Sequence, residues 1–253
     1  MQEQTRGLDR EGFIQNLYSP KNIAPEFQYV VSAVVDSLLR ELPGQVDGIY
    51  LYGSVPRGTA IVGSSDLDVS IVLTTPIGPK EKRVFKHLSD TIPKAYSQVS
   101  KLDIDPGFLR DVLLPQEKYH WHFWLKHCCS CVWGNDLSVE ISRYKPSIEI
   151  AQALNGDLST FLKQMTLSFK TMTDADVVKV IGKKLVRAAY YFVAEKDGSW
   201  YTDLSQCAAV AKCYSPNLND DIELAHQYAL GNLISKTEAL ELYERLSKEL
   251  VVN

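Results

Sequence analysis

Long apolar runs are missing from this sequence. No stretch reaches the about 18 uncharged residues of a bilayer-spanning helix, and the opening segment MQEQTRGLDREGF is polar where a secretory leader would be apolar. A cytoplasmic protein with no membrane partner is expected. Cysteine is scarce too: there are five, an odd number, with Cys128, Cys129 and Cys131 crowded together. That excludes a disulfide framework and points to reduced thiols. Nor is positive charge in excess. Lys and Arg number 27 against 31 Asp and Glu, a net charge of −4, so no bulk attraction to nucleic acid or anionic membrane is expected. Only a local basic patch would revive it. Internal repeats and low-complexity tracts are absent as well.

What is present suits a globular chain. Apolar residues make up 45% of 253 residues, enough to bury a proper core in one or two domains. Phe27, Val30, Val31, Val34, Leu38 and their neighbours recur at helical spacing up to Pro43-Gly44. GIYLY then reads as a strand, Gly53 to Ser65 as a loop, LDVSIVL as a second strand and PKEKRVFKHLSDTIP as an amphipathic helix. VSKLDID alternates as a third strand, expected to end at Pro106-Gly107. The aromatic stretch from Glu117 to Trp133 fits helix or strand. Beyond Pro146 strand signals fade, and helical period runs over 147–172, 174–195, 203–212, 219–230 and 236–250. The expectation is an α/β (α+β) domain with a mixed sheet over residues 1–146, then an all-helical bundle over 147–253.

The chemistry gathers in LYGSVPRGTAIVGSSDLDVSIVL, Leu51 to Leu73. Asp66 and Asp68 lie two apart on a strand and so project to one face, while Leu67, Val69 and Ile71 take the other. Two carboxylates side by side repel and are costly to desolvate; a divalent cation between them removes both problems. Mg²⁺ prefers hard oxygen ligands and typically takes one or two carboxylates plus substrate phosphates. Upstream, Gly53 lets a phosphate approach bare N–H groups, Ser54 adds a hydroxyl donor, Arg57 offers a cation, and Ser65 is a further candidate to meet the nucleotide. An inert Asp-x-Asp on a solvated strand is the plain alternative. The apolar flanks and the glycines Gly53, Gly58 and Gly63 favour the phosphate-and-metal reading.

This pattern resembles the nucleotidyltransferases related to DNA polymerase β: Gly-Ser, a gap of about a dozen residues, then Asp-apolar-Asp on a strand. It looks most like the small bacterial aminoglycoside adenylyltransferases acting on streptomycin- and spectinomycin-type drugs. The resemblance implies that Gly53 and Ser54 contact a triphosphate and that Asp66 and Asp68 bind Mg²⁺. It also implies a third carboxylate on a following strand, as metal ligand or proton acceptor. KLDIDPGF supplies Asp103 and Asp105. Asp103 has the better strand context, whereas Asp105 precedes proline and is open to a turn role. The drug-modifying relatives commonly have glutamate here.

VWGNDLS, at Val132 to Ser138, resembles the Gly-x-Asp-Leu segment that follows the catalytic domain in these relatives. The stretch from Ile181 to Gly231 resembles their helical C-terminal domain, and the relatives bind nucleotide and acceptor between the two domains. Their C-terminal lysine reaches the phosphates from a Ser-Lys pair. The matching TDLSQCAA has no lysine, leaving Lys183 or Lys184, with Lys184 taken as the candidate. Glu140, Glu149 and Asp157 are candidates to line a pocket for a polycationic drug. His120, His122, His127 and the three crowded cysteines invite a zinc reading, but no C-x-x-C pair or finger spacing supports it. Trp121, Trp124 and Trp133 read as core or wall, one of them a candidate to stack on a base or sugar.

The implied activity is Mg²⁺-dependent transfer of a nucleoside monophosphate, AMP from ATP, to a hydroxyl of a small acceptor, an aminoglycoside-type antibiotic, with release of pyrophosphate. Two rivals stand beside it. One is nucleotidylation of a tRNA or protein; the other is a nucleotide-binding regulator without catalysis. A monomer is adequate for any of them.

Overall fold

In the computed structural model, residues 6–252 are described. The chain divides into two compact units: Gln15–Tyr144, and Lys145–Asn253 together with the N-terminal segment that ends at Ile14.

The first unit is built on a four-stranded mixed sheet of order β3-β2-β1-β4. Its elements are α1 (Pro25–Glu41), β1 (Val46–Tyr52), β2 (Leu67–Leu73), α2 (Pro79–Ala95), β3 (Leu102–Phe108), α3 (Leu109–Val112), α4 (Phe123–His127) and β4 (Ser130–Gly134). β2 runs antiparallel to β1 and parallel to β3, and β4 runs antiparallel to β1. Strand alternation divides the sheet's two faces chemically. Ile49, Leu51, Leu67, Val69, Ile71 and Leu102 face one way, into a core closed by Phe27, Val30, Val34 and Leu38 of α1 and Phe85, Leu88 and Ile92 of α2. Each such fully buried aliphatic side chain contributes about 1.5–3 kcal/mol. Tyr50, Tyr52, Asp68, Ser70, Asp103 and Asp105 fall on the other face, part of which is covered by Trp121, Trp124 and Leu125 around Tyr50 and Val72.

Two local expectations change. β3 does not stop at Pro106-Gly107 but continues to Phe108. As an edge strand it has one side without a ladder, and there a residue lacking an N–H is tolerated. The ambiguous aromatic stretch turns out to be both helix and strand. A π-helical turn over Lys118–His122 runs into α4, and β4 follows.

The second unit is helical: α5 (Ile148–Asn155), α6 (Phe161–Met165), α7 (Asp174–Asp197), α8 (Leu204–Tyr214), α9 (Asn219–Leu230) and α10 (Lys236–Val252). The single helical period read over 147–172 is broken after Asn155, where Gly156 ends α5. α7 is the central element. Its Gly182 lets α9 come so close that a Cβ there would lie 2.4 Å from the Ala229 nitrogen. Residues 6–14, grouped with the first half on sequence, cluster with this unit. The Trp200 N–H donates to the Arg6 carbonyl at 2.7 Å, and the Arg6 guanidinium pairs with Asp197 at 2.6 Å. Among the described residues no helix is long and apolar enough to cross a membrane.

Candidate active site

β1 is followed by Gly53, whose φ of 77° lies in the left-handed region that only glycine enters cheaply. The turn brings Gly53 against Asp68: a Cβ built on it would sit 1.9 Å from the Asp68 Oδ2. The bare glycine is therefore what makes room for the carboxylate. The loop beyond is tied to itself. Thr59 N–H donates to the Ser54 carbonyl at 3.1 Å, Arg57 Nε donates to the Gly53 carbonyl at 3.0 Å, and the Ser65 hydroxyl accepts from Ile61 N–H at 2.8 Å. Arg57 also lies over the Tyr18 ring, 5.8 Å from its centroid. Ser65, expected among the phosphate-binding residues, thus closes the loop with its hydroxyl.

The parallel register sets Asp103 directly beside Asp68, and Asp105 beside Ser70. Asp66 stands just before β2 and accepts a hydrogen bond from the Ser100 hydroxyl at 2.7 Å. Tyr52, across β1 from Asp68, donates its hydroxyl to Asp105. Burial, and then the charge of Asp105, hold that phenol far above its ordinary range. Trp124 packs edge-on against Tyr52, with centroids 4.9 Å apart, and donates its indole N–H to Ser70 at 3.0 Å.

The electrostatics show what the cluster lacks. Burial pushes the Asp68 carboxyl up to about 7; the charges of Asp103, Asp66 and Asp105 add to this, and Lys101 opposes it. The ammonium of Lys101 lies 2.6 Å from Asp103 Oδ1 and 2.7 Å from Oδ2. Lys101, Ser100 and Tyr52 were not singled out on sequence. The only signal for Lys101 was its parity with Asp103 and Asp105 in KLDID.

A hard divalent cation suits these residues. The donors are all oxygens, neighbouring negative charge makes ionised Asp68 unfavourable, and glycine rather than a side chain stands opposite it. Asp66, Asp68 and Asp103 are the residues that would hold it. Among the described residues no group of three or more His, Cys, Asp or Glu forms a ready-made cage. The carboxylates are engaged one by one, Asp66 with Ser100 and Asp103 with Lys101, so a cation would draw its remaining ligands from water and, when present, substrate oxygens.

The zinc alternative finds no support. His127 Nε2 accepts from Tyr144 N–H at 2.9 Å, and His120 pairs with Glu117 at 2.9 Å. Burial raises the thiols of Cys129 and Cys131, the latter to about 11, which opposes the thiolate that zinc needs.

Lys184 belongs to the helical unit and is engaged there. Its ammonium meets Asp157 Oδ1 at 2.5 Å and the Leu154 carbonyl at 3.2 Å, and it lies 5.4 Å from the Phe161 ring centroid. This is a structural arrangement within one unit, and it also occupies Asp157, which was read as a pocket acid.

Residues 31–126 match the family model described as a nucleotidyltransferase domain, a span that contains Gly53, Asp66, Asp68, Asp103 and Asp105. Among solved structures the chain is similar to the spectinomycin adenyltransferase AAD(9) from Enterococcus faecialis, determined with ATP and spectinomycin. That match has a TM-score of 0.54 at 14% identity, covering 88% of this chain and 98% of the other. At that identity the likeness speaks for the fold. A search among curated proteins gives no match.

Proposed function

We propose that this chain, a nucleotidyltransferase of the DNA polymerase β-like kind with the adenylyltransferase fold, transfers AMP from ATP to a hydroxyl of a small acceptor. The observation that carries the reading is the pairing of Asp68 with Asp103 in register, against Gly53, inside the span matched as a nucleotidyltransferase domain. A non-catalytic regulator is disfavoured by the same pairing. Asp103 lies in register beside Asp68, and its charge acts on it.

In the proposed reaction an acceptor oxygen bonds to the α-phosphorus, the bond to the bridging oxygen breaks, and pyrophosphate departs. Mg²⁺, when bound, supplies charge neutralisation for the entering and leaving oxygens. Asp66 and Asp68 hold the cation. Asp103 completes that set or takes the acceptor's proton on a carboxylate oxygen. It is favoured over Asp105 because it stands in register beside Asp68, whereas Asp105 stands beside Ser70. Gly53, Ser54 and Arg57 line the turn that meets the triphosphate, as the family resemblance implies.

An aminoglycoside-type antibiotic is the leading acceptor, supported by the fold shared with an enzyme determined with spectinomycin. None of the five cysteines is in a disulfide, which suits the reducing cytoplasm. The test is to incubate the protein with Mg²⁺, each labelled nucleoside triphosphate and a panel of aminoglycosides, and follow pyrophosphate. ATP with a spectinomycin- or streptomycin-type drug is expected to release it. No release with any drug moves the acceptor to a tRNA or protein, and full activity in Asp68→Ala removes the metal assignment.

A further inference from the structure

We infer that Lys101 is a built-in counter-cation of the carboxylate cluster, competing with the divalent ion for Asp103 and so setting the metal concentration at which the site becomes competent. This rests on the reading of Asp66, Asp68 and Asp103 as the metal-binding set.

Two observations converge on Lys101. It stands one residue before β3, at the same parity as Asp103, so strand alternation turns it toward the acidic face. Its ammonium reaches both oxygens of Asp103. The side chain is nevertheless 60% exposed, and its flexible four-carbon stem lets it leave without moving the backbone.

Asp103 cannot present both oxygens to a lysine and also offer them freely to a metal ion or a substrate proton. Asp66, Asp68, Asp103 and Asp105 together with one lysine make a set that one cation only partly neutralises. An incoming dication supplies more charge than Lys101 and takes Asp103 from it; the ammonium then turns out to water. Metal binding and the release of Asp103 are one event.

Calorimetric titration of the full chain with Mn²⁺ or Mg²⁺ alone, without nucleotide, tests this. Lys101→Met and Lys101→Gln remove the competitor, and each is expected to bind the ion about three- to tenfold more tightly than the parent chain. Lys101→Arg keeps the charge and should stay close to the parent. Asp68→Asn should lose most of the binding. Unchanged or weaker affinity in both neutral variants, beside loss in Asp68→Asn, overturns the competition while leaving the metal site standing. Absence of binding heat in every protein overturns the metal reading and this inference with it.

Discussion

Asp68 and Asp103 are register partners across the parallel pair β2–β3, and the negative charge of Asp103 is the strongest electrostatic influence on Asp68 after burial itself. Two acids so placed have a poor home in water-poor surroundings unless a cation joins them. The metal-free protein should show the cost.

The folded-state Asp68 carboxyl is raised from 3.8 to about 7, so between those values the native chain holds a proton that the unfolded chain has released. Stability from this group is complete below about pH 4 and declines as pH rises toward about 7. In chelator, the melting temperature should fall more steeply over that window than in Asp68→Asn, and saturating Mg²⁺ should remove the difference. Equal slopes for the two chelated proteins would contradict the shift.

The two candidates for the third carboxylate should separate kinetically. Asp103→Asn is expected to lower turnover by about two to four orders of magnitude, the scale of a lost proton acceptor or metal ligand. Asp105→Asn removes only the partner of the Tyr52 hydroxyl, and its loss should be about tenfold or less and shared by Tyr52→Phe. A larger loss in Asp105→Asn than in Asp103→Asn would exchange their roles.

Gly53→Ala should damage both fold and site. The left-handed backbone alone costs roughly 1–2 kcal/mol with a Cβ present. The added atom would also contest the space of the Asp68 Oδ2. Thermal unfolding and Mg²⁺ titration should both register the change.

Lys184→Met should weaken the helical unit without lowering ATP affinity. The lysine side chain is 15% exposed and meets Asp157 and the Leu154 carbonyl, a charged hydrogen-bond set worth about 2 kcal/mol. Denaturant unfolding reads the first expectation and nucleotide titration the second. A large fall in ATP affinity in a folded variant would restore Lys184 to the phosphates.

Much of this was legible because it is local. LDVSIVL spans β2 end to end, and the parity of Asp66 with Asp68 and of Asp103 with Asp105 follows from a period of two. What escaped depends on contacts distant in sequence. That β3 forms an edge, and so carries Pro106, depends on strand order. That the residues before Gln15 join the helical unit depends on Arg6 meeting Asp197, 191 positions away. Lys101 gains meaning only once β2 and β3 are aligned, and the partner of Lys184, Asp157, lies 27 positions away.

Pro106 has one more consequence. The outer strand of a sheet is a template on which a foreign strand can dock, and it recruits through its row of amide hydrogens. Within β3 stands a residue with no such hydrogen, between Asp105 and Gly107, so another chain seeking to lengthen the sheet would find the row interrupted. The same seven residues that deliver Asp103 to Asp68 thus guard against aggregation along their open margin.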